Sequence, residues 1–237
     1  MKRVELRLPE TQHAVEDRSQ AIRDRLRDAI VDRRLAPGAK LAESEVGALF
    51  AVSRTVAHAA LQMLAFEGLV RFERNRGAFV ANPSPEEARQ VFAARRLVEP
   101  GIVAAAVERK TPSGIARLKA HLASERRHMS ERGPRARRAE IKASGELHLL
   151  IAAMSGNVVL LRFMEELVAR SSLVIALYGK SGASSCGHDE HAAIVEALKS
   201  GDSEAAQALM LRHIGHIEAD LELRAGATLA LKDALEL

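Results

Sequence analysis

Histidine and cysteine are the side chains through which this sequence could bind a transition metal, and they are unequally represented. The 237 residues include nine histidines but a single cysteine, Cys186. One cysteine excludes an intrachain disulfide and a cysteine-rich zinc site, which is typical of proteins in a reducing compartment. Any metal must therefore be bound by histidines and carboxylates, and oxidation of Cys186 remains open as a redox signal.

A second group of chemically competent side chains lies on one face of a predicted helix. Arg54, Thr55 and His58 occupy the face opposite to the apolar residues 57, 60, 61 and 64, and Ser53 before them is a good N-cap. In a helix that enters the major groove of DNA, the first residues reach the base edges. We therefore predict a bidentate contact from Arg54 to guanine, with Thr55 and His58 on phosphates or bases. An ordinary solvated helix face would show the same spacing.

The elements around this helix form a recognisable arrangement. Residues 19–35 have apolar side chains at helical spacing, and Pro37 and Gly38 then force a turn. A short helix over residues 43–50 precedes the helix over residues 53–66, which Gly68 can end in the left-handed conformation. Two helices joined by a turn of three or four residues are typical of a helix-turn-helix, whose second helix lies in the major groove.

A hairpin follows these helices. Residues 69–73 and 78–81 alternate apolar and polar side chains around a basic tip that contains Arg74, Arg76 and Gly77. We interpret it as a two-stranded wing that enters the minor groove. The predicted fold class is thus mainly α, beginning with a winged helix-turn-helix of three helices and two strands.

The rest of the sequence predicts an all-helical bundle. We place the boundary at residue 82, which gives a DNA-binding domain over residues 1–82 and a helical effector-binding and dimerisation domain over residues 83–237. Ser84 is an N-cap and Pro85 suits the first helical position after it. Six helical stretches are expected, over residues 84–109, 112–132, 134–154, 157–178, 188–200 and 202–225.

Composition excludes several classes of protein. No apolar run approaches the roughly 18 residues of a membrane helix, and five of the first ten residues are charged, so we expect a cytoplasmic protein without a membrane partner. Aromatic residues make up 3% of the chain and tryptophan is absent, so the sequence lacks a set of stacking platforms for single-stranded nucleic acid. The basic excess lies mostly in residues 1–82, which favours duplex DNA as the partner.

Four blocks in order closely resemble the GntR family of regulators. They are LAPGAKLAE (35–43), VSRT (52–55), ALQMLAFEGLV (60–70) and GAFV (77–80). The resemblance implies that Arg54 and His58 both contact operator DNA. The family usually has arginine at the position of His58, and Val56, Ala57 and Ala59 also depart from its common residues, so the operator sequence is not implied.

The second part resembles, less tightly, the helical effector (FCD) domain of the FadR-like branch of that family. The matching blocks are RRLVEP (95–100), LH (147–148), SGN (155–157), DEHAAIV (189–195), GD (201–202) and His213. The resemblance implies a divalent metal, zinc, nickel or manganese, held by His148, His191 and His213. The family's fourth ligand, an aspartate one helical turn before the first histidine, is Ser144 here. Because a hydroxyl is a poor zinc ligand, we expect a three-histidine site with open positions.

Residues next to these histidines are assigned no ligand role. Glu146 points to another helix face than its neighbouring histidine, and Glu190 adjoins His191, so neither is expected to replace the missing aspartate. His188 and His216 are expected to be solvent-exposed. The three matching histidines themselves could also be ordinary surface or core residues.

The family's effectors are small carboxylates, and by position the resemblance implies Arg95, Ser144 and Asn157 as effector-binding residues. Arg95 could equally pair with Glu99 on the helix surface. We expect a homodimeric repressor that binds a pseudo-palindromic operator and is controlled by the effector. One alternative is a metal or redox sensor without an organic effector. The other, less favoured, is a metal-dependent enzyme, since no nucleophile and base are convincingly paired.

Overall fold

The computed structural model describes residues 10–32, 34–129, 133–180 and 187–223. Its elements are α1 (Glu10–Val31), β1 (Lys40–Leu41), α2 (Glu43–Phe50), α3 (Arg54–Phe66), β2 (Val70–Glu73), β3 (Gly77–Val80), α4 (Pro85–Glu108), α5 (Pro112–Met129), α6 (Pro134–Met154), α7 (Val158–Tyr178), α8 (His188–Ser200) and α9 (Ser203–Ala219). This order confirms the predicted fold class, a winged helix-turn-helix followed by a helical bundle. Cys186 lies outside the described residues, as does most of the loop before α8.

The turn between α2 and α3 is set by its backbone and by its cap. Ala51 ends α2 in the left-handed conformation, with φ at 50°, and Ser53 then begins α3 by accepting a hydrogen bond from the Val56 amide. The apolar face of α3 packs on α1 and α2, where Leu61 and Leu64 are fully buried. Burial of this face leaves the N-terminal residues of α3 at the surface.

The wing contains three strands rather than the expected two. β1 pairs with β3 in antiparallel register, Lys40 opposite Phe79 and Leu41 opposite Ala78, and the strand order is β1-β3-β2. Two residues are too few to show the alternation that predicts a strand, but the buried side chain of Leu41 fixes β1 against the core. At the tip, Gly77 has φ at +95°, a conformation that favours glycine.

Six helices, α4 to α9, form the described part of the second domain. α4 begins with a capping box, in which the Ser84 side chain accepts from the Glu87 amide and the Glu87 carboxylate accepts from the Ser84 amide. The predicted domain boundary falls in residues 81–84, which have no regular secondary structure. Among the described residues, no single helix is both long and apolar enough to cross a membrane, although α2 and α3, bent by 112°, pass that test together.

α7 joins the two domains. Its residues Ala169 and Leu173, one helical turn apart, are buried in the core of the DNA-binding domain. The Tyr178 hydroxyl of the same helix donates to the Pro83 carbonyl at 2.8 Å. A cavity of about 450 Å³ remains between the domains. The junction therefore combines a packed contact with space in which the domains could shift.

Candidate functional site

The N-terminal end of α3 carries the predicted DNA-reading residues at the surface. Arg54 is its first residue and has a side chain that is 80% exposed, and Thr55 is also exposed. His58 lies one turn later, half exposed, with its ring centroid 5.5 Å from that of Phe72 on β2. Ser53 caps the helix, so its predicted place in the interface coincides with a structural role.

Sequence reasoning missed Glu43, which links two of these side chains. One oxygen of its carboxylate lies 2.6 Å from Nε of Arg54 and the other lies 2.7 Å from Nδ1 of His58. The hydrogen bond from Arg54, followed by that from His58, lowers the pKa of Glu43. Nothing in the local sequence pattern pairs a residue of the first helix of the motif with these two positions.

The wing tip presents its basic residues to solvent. Arg74 is exposed in the turn between β2 and β3. Arg76 is 69% exposed, pairs with Glu73 and lies over the ring of Phe79, 5.1 Å from its centroid. The tip is thus positively charged and held in one orientation by the strands below it.

In the second domain, the three histidines implied by the resemblance come together. His148 on α6, His191 on α8 and His213 on α9 are all buried, and a nitrogen of each lies within 4.8 Å of a nitrogen of the other two. Their ring centroids are 4.4 to 5.6 Å apart. Among the residues that the structure describes, this is the group of metal-binding side chains that the geometry assembles.

Each of these histidines has a carboxylate on its Nδ1 atom. Glu99 lies 2.5 Å from His148, Glu125 lies 2.8 Å from His191, and Glu190 lies 2.8 Å from His213. An ionised carboxylate only accepts hydrogen bonds, so each Nδ1 must carry the proton and each Nε2 lone pair is the ligand the ring offers. A carboxylate that orients a histidine in this way is typical of protein metal sites.

The Nε2 atoms of the three rings lie close together without a proton to share. Those of His191 and His213 are 3.0 Å apart, and that of His148 is buried without a hydrogen-bond partner. With both Nδ1 atoms protonated, two lone pairs face each other across 3.0 Å. A proton or a metal ion between them would relieve the repulsion.

The pKa shifts at four residues of the cluster favour ionised carboxylates at Glu99 and Glu125 and neutral imidazoles at His148 and His213. Burial alone would raise the pKa of Glu99, but the charge of Arg95, followed by the interaction with His148, lowers it to about 2. Burial likewise opposes ionisation of Glu125, yet its hydrogen bonds, led by that from His191, leave its pKa below the usual range. Burial lowers the pKa of His148 and of His213, so both are in the form that binds metal.

Arg95 lies beside the cluster and is almost fully buried. Its Nε donates to Glu99 at 2.5 Å and its Nη1 donates to Ser171 of α7 at 3.1 Å, while Nη2 is buried without a hydrogen-bond partner. The pairing with Glu99 that the sequence allowed is therefore present, but in the interior rather than on the surface. Ser144 is buried on α6, one turn before His148.

Two neighbouring residues have contacts that the sequence did not predict. Asn157 is exposed and caps α7, with its side-chain oxygen accepting from the amides of Val159 and Leu160, and its effector-binding role stays a prediction. His188 was expected at the surface, but its side chain is only 14% exposed and lies 3.5 Å from Glu125. His216, at 60%, is exposed as expected.

The carboxylates around the histidines were missed by sequence reasoning. Glu190 was set aside as a replacement ligand, and its contact is instead with the outer nitrogens of His213 and His216. A signal did exist for Glu99, because it shares with Phe92 and Ile102 the buried face of α4. A charged residue on the apolar face of a helix is almost never fully buried unless it is paired, so this pattern predicts a partner for it in the protein interior.

Comparison with known proteins identifies the family of the chain. A sequence profile described as "FCD domain" matches residues 90–216, more than half of the chain, and one described as "Bacterial regulatory proteins, gntR family" matches residues 18–80. The chain belongs to the GntR family. The resemblance found in the sequence is thereby confirmed, and the family and its relatives are transcription regulators rather than enzymes.

Relatives of this GntR protein match it along most of their length. It is 28% identical to the HTH-type transcriptional regulator LutR of Bacillus subtilis, over 78% of this chain and 92% of that protein. It is 27% identical, over 86% of both chains, to an Escherichia coli protein named for regulation of the L-lactate dehydrogenase operon. A GntR regulator from Rhodococcus sp. RHA1 superposes with a TM-score of 0.71 at 26% identity, covering 86% of this chain and 96% of its own.

Proposed function

We propose that this GntR regulator is a cytoplasmic, homodimeric repressor whose affinity for operator DNA is controlled by a small carboxylate bound at a divalent metal. The observation that supports it best is the histidine cluster. Three buried imidazoles each bring a nitrogen within 4.8 Å of a nitrogen of the other two, and a carboxylate lies on Nδ1 of each ring. Such an arrangement is costly to bury unless a cation binds there.

Charge supports a divalent cation. Glu99, Glu125 and Glu190 bring three negative charges to the cluster, against the one positive charge of Arg95. With neutral histidines, two negative charges remain, which zinc, nickel or manganese would neutralise. His148, His191 and His213 would hold the metal, and the metal would act as a Lewis acid that binds carboxylate oxygens.

Arg95 supports a carboxylate as the effector. Its Nη2 group is buried and carries N–H donors without a protein acceptor. Leaving such a donor unpaired costs about 1–3 kcal/mol, so an anionic ligand that accepted from it would gain that amount. L-lactate is the first compound to test, since the E. coli relative is named for an L-lactate dehydrogenase operon.

α7 provides a route from the site to DNA. Ser171 accepts from Arg95 on the side of α7 that faces the bundle, whereas Ala169 and Leu173 are buried in the DNA-binding domain. A ligand that draws Arg95 towards the metal would alter its bond to Ser171 and thus the position of α7. The ligand shifts operator affinity only if its own affinity differs between two arrangements of the DNA-binding and helical domains.

Dimerisation would place two recognition helices on a pseudo-palindromic operator. Among the exposed large apolar residues are Val159 and Phe163, which lie one turn apart on α7, and Leu97 on α4, which is 83% exposed. Exposed apolar side chains at helical spacing are typical of contact surfaces between subunits. They support a homodimer formed through the helical domain.

Elemental analysis of the purified protein, with operator binding measured on the same samples, tests the proposal. We expect about one divalent metal per chain in wild type, none in His191→Ala, and retention in His121→Ala, a histidine that instead bonds the Ala143 carbonyl. Metal absent from wild type after exposure to zinc, nickel and manganese would refute the metal site. Metal that alone changes operator affinity, with no further change on adding carboxylates, would favour the metal-sensor alternative.

A further inference from the structure

The side chain of Glu43 occupies an unusual place for an acidic residue in a DNA-binding motif. It lies at the first residue of α2, is 19% exposed, and faces the N-terminal end of the recognition helix. Its two carboxylate oxygens are divided between Arg54 and His58, at 2.6 and 2.7 Å. A negative charge near DNA opposes binding, so its presence here needs a compensating role.

We propose that Glu43 is a positioning residue that determines base specificity by fixing the tautomer of His58. The inference rests on the DNA-reading positions assigned above to Arg54 and His58. A carboxylate only accepts hydrogen bonds, so the neutral ring of His58 must carry its proton on Nδ1 to bond Glu43. Its Nε2 atom is then an acceptor. The contact with Phe72 holds the ring against β2 and further limits its orientation.

An acceptor at Nε2 selects a particular class of base. In the major groove, hydrogen-bond donors are the amino groups of adenine and cytosine, whereas guanine and thymine present only acceptors there. His58 therefore favours adenine or cytosine at the position it reads. The arginine that stands here in most of the family offers only donors. Arg54 donates from Nε to Glu43, so its two terminal amino groups remain to donate to guanine.

Replacement of Glu43 by glutamine makes a sharp prediction. Arg54 can only donate, so the amide oxygen must face Arg54 and the amide nitrogen must face His58. Nδ1 of His58 then becomes the acceptor and Nε2 carries the proton. The preference at the base that His58 reads should reverse from adenine or cytosine to guanine or thymine, by about tenfold, while the guanine read by Arg54 is retained.

Selection of binding sites from a randomised operator library tests the inference. The wild type, Glu43→Gln, Glu43→Asp, Glu45→Gln and His58→Ala proteins are compared at about pH 8.5, above the range in which histidine changes charge. The base position that loses its preference in His58→Ala identifies the position read by His58. Glu45 is exposed in the first turn of the same helix, so Glu45→Gln removes an equal charge as a matched control.

We expect the reversal in Glu43→Gln alone, with the wild-type preference kept by Glu45→Gln and by Glu43→Asp, which retains the carboxylate. An unchanged preference in Glu43→Gln, or an equal loss at all positions in a variant with wild-type circular dichroism, would overturn the proposal. A His58→Ala protein that selects the same sites as wild type would also overturn it. If the protein were not a DNA-binding regulator, the wild type would select no sites at all, which distinguishes that outcome from failure of the role proposed for Glu43.

Discussion

Replacement of Arg95 by methionine is expected to destabilise the helical domain strongly, because it leaves Glu99 as a buried charge without its cation. Arg95 is the largest of the groups that lower the pKa of Glu99 against the effect of burial. Methionine keeps the length and apolar stem of the side chain, so packing in α4 is preserved. What the substitution removes is the charge and the two hydrogen bonds, to Glu99 and to Ser171.

The magnitude follows from the pKa of Glu99, about 2 in the folded protein against 4.5 for a free side chain. At about 1.4 kcal/mol for each pKa unit, the difference stabilises the fold by about 3.5 kcal/mol at neutral pH. Because the folded-state pKa is the lower one, this stabilisation is present above pH 4.5 and is lost as the pH falls towards 2. Arg95→Met should lose most of it at pH 7.

Urea unfolding followed by far-ultraviolet circular dichroism measures the loss, with a chelator present so that metal binding does not contribute. The matched control is Arg96→Met, since Arg96 is 37% exposed and its ion pair with Glu218 is worth at most about 1 kcal/mol. The stability loss in the double variant Arg95→Met/Glu99→Gln should be at least about 1 kcal/mol smaller than the sum of the losses in the two single variants. Equal losses in the two arginine variants, or additive losses in the double variant, would refute the reasoning.

Three further predictions concern other parts of the chain. Gly68→Ala should cost about 1–3 kcal/mol, because its φ of +74° strains any residue with a Cβ and the new Cβ would lie 2.4 Å from Nε of Arg170, which would have to move. Gly215→Ala, whose Cβ would meet nothing within 4 Å, should gain about 0.5–1 kcal/mol, and urea unfolding measures both changes. Arg54→Ala should weaken operator binding by about 1–3 kcal/mol and relax the specificity at one base pair, while Arg76→Ala should weaken binding to operator and to random DNA alike. Equal losses of affinity for operator and random DNA in Arg54→Ala would contradict the assigned role of Arg54. Burial lowers the pKa of His213, so on acidification the histidine is protonated in the unfolded chain before it is protonated in the folded protein. The free energy of unfolding of the chelated protein should therefore fall by about 2 kcal/mol between about pH 7.5 and pH 5, and His213→Gln should not show this fall.

The fold was largely predictable because its signals are local. Helix ends follow from caps and turns that are read within a few residues, as at Ser53 and Ser84, and both caps are observed. β1 was missed because a two-residue strand has no alternation, and its place is set by pairing with β3, which lies far along the chain. The Asn157 side chain caps α7, a local role that the sequence analysis did not assign to it.

The candidate site was less predictable, because its contacts join distant parts of the chain. Glu125 is 66 residues from His191, and Glu99 is 49 residues from His148. Helical periodicity shows which face of a helix is buried, but not which helix faces it in a bundle of six. The resemblance supplied the three histidines, whereas the carboxylates behind them required the three-dimensional structure.

Operator affinity in four states of one protein sample is the decisive measurement of metal-dependent control by a carboxylate. Fluorescence anisotropy of labelled operator is measured for metal-loaded and for chelated protein, each with and without L-lactate and other small carboxylates. We expect one carboxylate to change operator affinity by about tenfold or more, only when metal is bound, which is a coupling of usual size for two linked sites. No change with any carboxylate, or an equal change in the chelated protein, would contradict it.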